Sequence, residues 1–128
     1  MRDRMKKPEG LTEDQRFFWE HAGWSYNPKT ETKREGRMRG AIALANAEQH
    51  ARSERWYYTW VEDDDADVSW MDKKARRDYR MGKTKMLGCV LYDSNDEVLA
   101  SLWAIHVSGR GDAYCRVVEA ELALEAIP

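Results

Sequence analysis

The chain has 128 residues, of which 42% are hydrophobic and 34% are charged, and its formal net charge is −2. This length and balance predict one globular domain that buries a single core beneath a heavily charged surface. A slightly acidic chain is not expected to coat nucleic acid over its whole surface.

The N-terminus begins MRDRMKKPEG, which is charged and contains no apolar stretch, so we expect no secretion signal. Residues 1–10 are predicted to be a disordered tail, and residues 11–128 a single domain. No window approaches eighteen apolar residues, so no membrane span is expected. Cys89 and Cys115 are predicted to be reduced thiols, with a disulfide as the minor alternative. These features together predict a cytoplasmic protein.

Two helices are predicted in the first half of the chain. Thr12 and Gln15 have the spacing of a capping box, so the first helix should begin there and run to about His21. Thr30 is predicted to cap the longest helix, over about 31–54. Small residues recur along that helix at spacings of three and four, which would let another element approach its backbone closely. They are Gly36, Gly40, Ala43, Ala47 and Ala51.

Three strands and a last helix are predicted in the second half. Residues 56–61, WYYTWV, are aromatic and β-branched, which is typical of a strand. Two later apolar runs flank the polar turn 93–96, which indicates a hairpin. Asp112 is predicted to cap a last helix over 113–126. The residues of this helix predicted to face the core are Tyr114, Val117, Val118, Leu122 and Ala126.

The predicted order is therefore α-α-β-β-β-α, an α+β fold with a three-stranded antiparallel sheet. The helices should pack on one face of this sheet, and a long charged connection should join the first strand to the second. The other face would be partly exposed to water. Either Trp56 and Trp60, or alternatively Trp103, would stand on that exposed face.

The charged connection over 62–85 has six acids in residues 62–72, followed by seven bases in residues 73–85. Asp63, Asp65 and Asp67 imitate the opening of a calcium loop. That motif also requires glycine at its sixth position and glutamate at its twelfth, where this chain has Val68 and Lys74. We therefore predict no metal site in this segment.

The favoured interpretation of the segment is that its acidic and basic halves pair with each other, anchored to the domain by Trp70 and Met71. The alternative is binding to nucleic-acid phosphates through the basic half. The bases concerned are Lys73, Lys74, Arg76, Arg77, Arg80, Lys83 and Lys85, with the basic start of the long helix. The α-β-β-β-α part of the predicted order resembles the double-stranded-RNA-binding domain, although acids in the last helix make its usual grip on phosphate unfavourable.

Aromatic side chains are numerous, with six Trp and six Tyr, and such residues are enriched in contact surfaces. The residues predicted to bind a protein are Trp24, Tyr26, Trp56, Tyr58, Trp60 and Trp70. The competing interpretation is that Trp19 and Trp103 belong to the core and the others surround it. No nucleophile elbow, phosphate loop, HExxH or CxxC occurs, so we expect no enzymatic activity and no cofactor.

Three stretches resemble uncharacterised small accessory proteins of actinobacterial phages. They are GCVLYDSNDEVLASLWAIHV, DAYCRVVEAELALEAI and EGRMRGAIALANAEQHARSE. The group has no assigned activity, and the resemblance implies an accessory protein that acts on a host protein inside the bacterial cell. The hypothesis is thus a non-enzymatic modulator that uses the aromatic patch and the charged loop. Nucleic-acid binding is the alternative, and a homo-oligomer is left open.

Overall fold

The computed structural model of the chain describes residues 6–109 and 111–128. It is an α+β fold with the order α-α-β-α-β-β-α. The elements are α1 (Glu13–His21), α2 (Lys33–Ser53), β1 (Tyr57–Glu62), α3 (Lys73–Arg80), β2 (Thr84–Tyr92), β3 (Val98–Ser108) and α4 (Asp112–Ala126). None of the described helices combines the length and the apolar character that a membrane span requires. The predicted fold class is confirmed, and α3 is an addition within the predicted β1–β2 connection.

Local hydrogen bonds define where the helices begin. Thr12 and Gln15 form the predicted capping box at α1. The prediction for α2 is wrong by two residues, because Thr32 rather than Thr30 is the N-cap. The Thr32 hydroxyl accepts from the Glu35 backbone N–H at 3.1 Å, and the Glu35 carboxylate accepts from that of Thr32. At α4 the N-cap is Gly111, so Asp112 is not the predicted cap.

The sheet is an antiparallel meander in the order β1-β2-β3. In its central strand, β2, residues 86–91 are buried or half-buried, and this stretch is continuously apolar rather than alternating. A bulge interrupts the β2–β3 pairing, since Leu87 pairs with Ile105 whereas Cys89 pairs with Leu102. Ala104 lies in this bulge with a positive φ of 57°. The Asp63 carboxylate supports it by accepting from the Ala104 N–H at 2.8 Å.

Helices α2 and α4 cover one face of the sheet, as predicted, and α1 packs on the far side of these two helices. The core between the sheet and the helices contains Ala47, Ala51, Cys89, Leu91, Ile105, Val107, Val118, Leu122 and Ala123. A second core, formed where α1 packs on α2 and α4, contains Phe18, Trp19, Ala41, Leu44, Ala45, Val117 and Ala120. The prediction that Tyr114 faces the core is wrong, because Tyr114 is exposed. Both cysteines are free, so the minor disulfide alternative is not realised.

The small residues of α2 permit the close approach that the sequence predicted. The turn between α1 and α2 is the element that approaches, since side chains placed on Gly36 and Gly40 would overlap Tyr26 and Trp24 respectively. The Trp24 indole N–H also donates to the Trp19 carbonyl at 3.2 Å.

The predicted disordered tail falls partly outside the described residues, which begin at Lys6. Within the described part, Pro8 is buried, and Lys7 forms an ion pair with Glu20 of α1. The guanidinium of Arg34 donates to the Lys6 carbonyl at 3.4 Å. Residues 6–10 therefore lie against the domain.

We expect Gly40→Ala to lower the free energy of unfolding by ~1–3 kcal/mol, because the added methyl group would collide with the Trp24 ring. The gain in helix propensity, ~1 kcal/mol at most, offsets only part of this cost. Gly23→Ala is the control, since nothing lies within 4 Å of a Cβ at that position. Urea denaturation measures both variants, and equal midpoints would contradict the proposed packing.

Candidate functional site

The sheet face turned away from α2 and α4 carries a contiguous set of uncharged side chains, which we call the open face. It consists of Tyr57, Thr59, Val61, Val90, Tyr92, Val98, Ser101 and Trp103. All of these except Tyr57 line a shallow depression of about 330 Å³. Val98 is 60% exposed and Trp103 is 49% exposed. Isolated exposed apolar residues are ordinary, whereas a contiguous set on one face is typical of a contact surface.

Trp103 is seated over the central strand by the bulge in β3. Its ring lies directly against Gly88, where any side chain would overlap it. This close approach explains the glycine in the middle of an otherwise apolar strand. The indole is thereby presented as a flat surface beside Val61 and Val90.

The two tyrosines of the open face are held in place by each other and by an acid. The rings of Tyr57 and Tyr92 stack with centroids 5.1 Å apart and planes inclined by 15°. The Tyr57 hydroxyl donates to the Asp96 carboxylate at 2.6 Å. This hydrogen bond raises the pKa of Tyr57 to about 12. The aromatic part of the open face is therefore ordered before any partner binds.

Acidic residues lie at both ends of β1, beside the open face. One group is in the β2–β3 turn, and the other follows the last residue of β1. The acids are Asp93, Asp96 and Glu97 in the turn, and Asp63, Asp64, Asp65 and Asp67 after the strand. An uncharged centre with acidic ends complements a partner whose apolar patch is edged by basic side chains.

Most of the predicted protein-binding aromatics are not on an exposed surface. Trp24 and Tyr26 pack against α2, and Trp56, Tyr58 and Trp60 pack half-buried against the core on the helix side of the sheet. The exposed patch predicted from these five residues is therefore corrected, because the parity of β1 turns its bulkiest side chains inward. Trp70 alone among the six predicted residues is largely exposed, at 57%. Trp103 stands on the open face, as the alternative prediction had it.

The predicted pairing between the halves of the charged connection is also corrected. Of its seven bases, Lys85 is the only one within 4.0 Å of a carboxylate among the described residues, and it approaches Glu62 at 3.9 Å. Acids of the first half bond to backbone instead: Asp67 accepts from Ser69 N–H at 2.9 Å, and Asp72 caps α3. Met71 is buried as predicted, and Trp70 meets the His106 ring edge-on at 5.2 Å.

Helix α3 presents a basic face to solvent. Lys73, Arg76, Arg77 and Arg80 are exposed, and with Met81 they line a groove of about 490 Å³. The spacing of three, one and three residues places these four side chains on one side of the helix. The six bases of the segment other than Lys85 have no carboxylate within 4.0 Å in the described part of the chain. Their charge is therefore available to an external anion.

On the helix side of the sheet, a network of four charged residues joins α1, α2 and α4. The Arg116 guanidinium donates to Glu48 at 2.8 and 2.9 Å and to Asp14 at 2.6 Å. Arg52 bonds to the same two carboxylates. These hydrogen bonds raise the pKa of Arg116 above its usual value. The network contains two acids and two bases, so it is internally neutral.

Beside this network is a cleft of about 410 Å³ between α2, β1 and α4. Its lining residues are Glu48, Ala51, Arg52, Trp56, Tyr58, Arg116 and Glu119. The Glu119 carboxylate is half-buried and accepts from the Trp60 indole N–H at 3.0 Å. Burial raises the pKa of Glu119, the Trp60 hydrogen bond opposes that shift, and the nearby Glu48 adds to it. The Tyr58 hydroxyl is buried without a hydrogen-bond partner among the described residues.

Within residues 6–109 and 111–128, no group of three or more histidines, cysteines or acids is arranged to hold a metal ion. Comparisons with protein-family models, curated proteins and solved structures return no match for the chain.

Sequence reasoning missed most of the open face, namely Tyr57, Val61, Tyr92 and Val98. The alternation of β1 does predict Tyr57, Thr59 and Val61 on one side of the strand, as the structure has them. What the pattern did not decide was which side the helices cover, because both sides contain large apolar residues. Gly88 was the available signal, since a glycine in a buried strand indicates a close neighbour on one face.

Glu119→Gln should raise the stability of the protein at pH 7. The pKa of Glu119 is raised in the folded state, so its charged carboxylate destabilises the fold at pH values above that pKa. Below the unfolded-state pKa of about 4.3 the carboxyl group is protonated in both states, and this destabilisation disappears. Glutamine keeps an acceptor for Trp60 and removes the charge. The gain measured by thermal unfolding should therefore shrink as pH falls to about 4 or below. An equal gain at both pH values, or the same profile for the exposed Glu125→Gln, would contradict this explanation.

Proposed function

We propose that the chain is a non-enzymatic binding protein that contacts another protein through its open face. The observation that carries this proposal is the presence of ordered, exposed aromatic and β-branched side chains on the sheet face opposite α2 and α4. Burial of such a face against a partner removes apolar area from water at ~25 cal/mol per Å². Because its aromatic rings are held in advance, little conformational entropy is lost on binding.

The chemistry of the open face favours a protein over a nucleic acid as its occupant. Tyr57 and Tyr92 already stack on each other, so their inner surfaces are closed to a nucleobase. The acids at the two ends of β1 repel phosphate. A protein surface with an apolar centre and basic edges satisfies both features.

The charged connection extends this contact surface along the sheet. His106 pairs with Met86 across β2 and β3, and Trp70 packs edge-on against it. The exposed part of Trp70 therefore lies beyond the end of the open face and adds aromatic area to it. This arrangement supports a role for the connection in binding, as the sequence suggested.

The resemblance to accessory proteins of actinobacterial phages supports a host protein as the partner, and the cytoplasm of the bacterial host as the place of action. In that setting the chain would modulate a host protein by occupying one of its surfaces. The identity of the host protein is defined here only by its chemistry, an apolar patch with basic edges.

Replacing Val61 and Val98 together with lysine should weaken partner binding at least tenfold, which is ~1.4 kcal/mol. The double variant removes two exposed apolar groups and places positive charge against the proposed basic edge. A photo-crosslinking residue at position 98 first captures the partner from host cells. The dissociation constant of the purified pair is then measured for each variant.

Leu124→Lys is the matched control, since Leu124 is also exposed and apolar but lies on α4. Crosslinking from position 124 to the same partner, or an equal loss of affinity in Leu124→Lys, would contradict binding through the open face. Sedimentation of the chain alone tests whether a second copy of the chain, rather than a host protein, occupies the open face. A dimer that the Val61/Val98 variant abolishes would replace the host protein with a second copy of the chain.

Nucleic-acid binding through α3 is the second candidate, and the unpaired bases of its exposed face favour it. The resemblance to the double-stranded-RNA-binding domain is weakened, because α3 is inserted between β1 and β2 in the order of elements. In that module the last helix begins with phosphate-binding bases, and the bases at this place in the chain are Arg110 and Arg116. Arg116 is bonded to Asp14 and Glu48, so it is not free to bind phosphate, and Arg110 lies outside the described residues. At the start of α2, Arg37 bonds to the Trp19 carbonyl and Arg39 to Glu31.

If this second candidate holds, an electrophoretic shift assay will show retardation that fades steeply with salt. Four phosphate contacts give a slope of log K against log salt of about −3.6 for duplex DNA. Changing Lys73, Lys74, Arg76 and Arg77 to alanine should abolish the shift. A variant that removes four exposed bases elsewhere (Lys6, Lys7, Arg16 and Lys29) should retain most of it. Equal losses in the two variants would indicate nonspecific charge attraction.

A further inference from the structure

The cleft between α2, β1 and α4 is separate from both proposed contact surfaces, and its side chains suggest a ligand of its own. Trp56 and Tyr58 line it from the sheet side, and Glu119 lines it from α4. We infer that this cleft binds a small alkylammonium cation, held by the Glu119 carboxylate against the rings of Trp56 and Tyr58.

The charge balance of the cleft selects a cation. The guanidinium groups of Arg52 and Arg116 are both bonded to Asp14 and Glu48, so they are not free to hold an anion. Glu119 is outside this neutral network. Its Oε2 accepts from Trp60, and its Oε1 has no donor among the described residues. The cleft thus contains one uncompensated, half-buried carboxylate, and a bound cation would offset its cost of burial.

The aromatic lining favours an alkylated cation over a hydrated metal ion. The faces of Trp and Tyr attract organic cations, and quaternary ammonium groups are recognised by such rings near a carboxylate. The Trp56 indole is fixed from behind by the His50 ring, whose centroid lies 5.0 Å away at an interplanar angle of 74°. A neutral apolar molecule would leave the Glu119 carboxylate without a counter-charge.

The Trp60 indole N–H gives a direct reporter for this site, because it is bonded to Glu119. Choline chloride is titrated into the full chain while the tryptophan indole resonances are followed by NMR, and Trp60→Phe assigns the relevant signal. We expect a saturating shift of the Trp60 signal with a dissociation constant of about 1 mM, typical of a single partly solvated cation site. The neutral isostere 3,3-dimethylbutan-1-ol, at the same concentrations, should leave the signal unmoved.

Glu119→Gln should weaken choline binding at least tenfold while keeping an acceptor for Trp60, and Glu125→Gln on the same helix should bind as the unchanged protein does. Thermal unfolding of each variant shows that it is folded, and in Glu119→Gln the shift is followed on the Trp56 indole as well. A shift of equal size with the neutral isostere, or undiminished binding in Glu119→Gln, would overturn the inference.

The same cation occurs free and in phospholipid headgroups, and phosphocholine separates the two sources. Weaker binding of phosphocholine than of choline assigns the site to a free amine, since the added phosphate would approach the acids of the cleft. Tighter binding of phosphocholine than of choline assigns the site to a lipid headgroup. Either result supports the site only when Glu119→Gln weakens that binding at least tenfold, and without that loss the inference fails.

Discussion

The packing of α2 and α4 against one face of a three-stranded sheet determines the rest of this structure. A sheet this small needs one face covered to be stable, and the two helices bury Cys89, Leu91 and Ile105 in doing so. Helix α1 then packs on the far side of the same two helices rather than on the sheet. All the described helices except the short α3 therefore lie on one side of the sheet. On the opposite face Tyr57, Val61, Val98 and Trp103 of the two outer strands remain exposed, and this exposure is the basis of the proposed contact with a protein.

Local signals in the sequence predicted the elements well, because each signal describes an interaction between near neighbours. The Thr12–Gln15 capping box, the β2–β3 turn and the alternation of β1 all have this character. The choice of covered face could not be predicted in the same way. It depends on the fit between whole elements, and Trp103 is the clearest case, since a bulge and Gly88 together seat its ring. The displaced start of α2 has a simpler cause: Thr30 and Thr32 are both good caps, and only Thr32 has glutamate three residues later.

The charged connection shows why charge patterns are weak evidence for pairing. Opposite charges placed in succession suggest mutual attraction, yet exposed pairs gain little free energy in water and are easily exchanged for other contacts. Asp63, Asp67 and Asp72 each bond to backbone N–H groups, which fixes a bulge, a turn and a helix start. The bases that follow are left facing solvent. The segment is consequently an ordered part of the fold on its acidic side and an available surface on its basic side.

These arrangements divide the molecule into three surfaces of different chemistry. The open face is uncharged with acidic ends, α3 is basic, and the cleft beside α4 contains one carboxylate that its neighbours do not neutralise. A partner of one kind would not suit all three, because an apolar surface with basic edges is repelled by α3 and a polyanion is repelled by the ends of β1. In the cleft, Arg52 and Arg116 are bonded to Asp14 and Glu48, so neither base neutralises the Glu119 carboxylate. Within the described residues, the Trp60 indole N–H is the one hydrogen-bond donor that offsets the burial of Glu119.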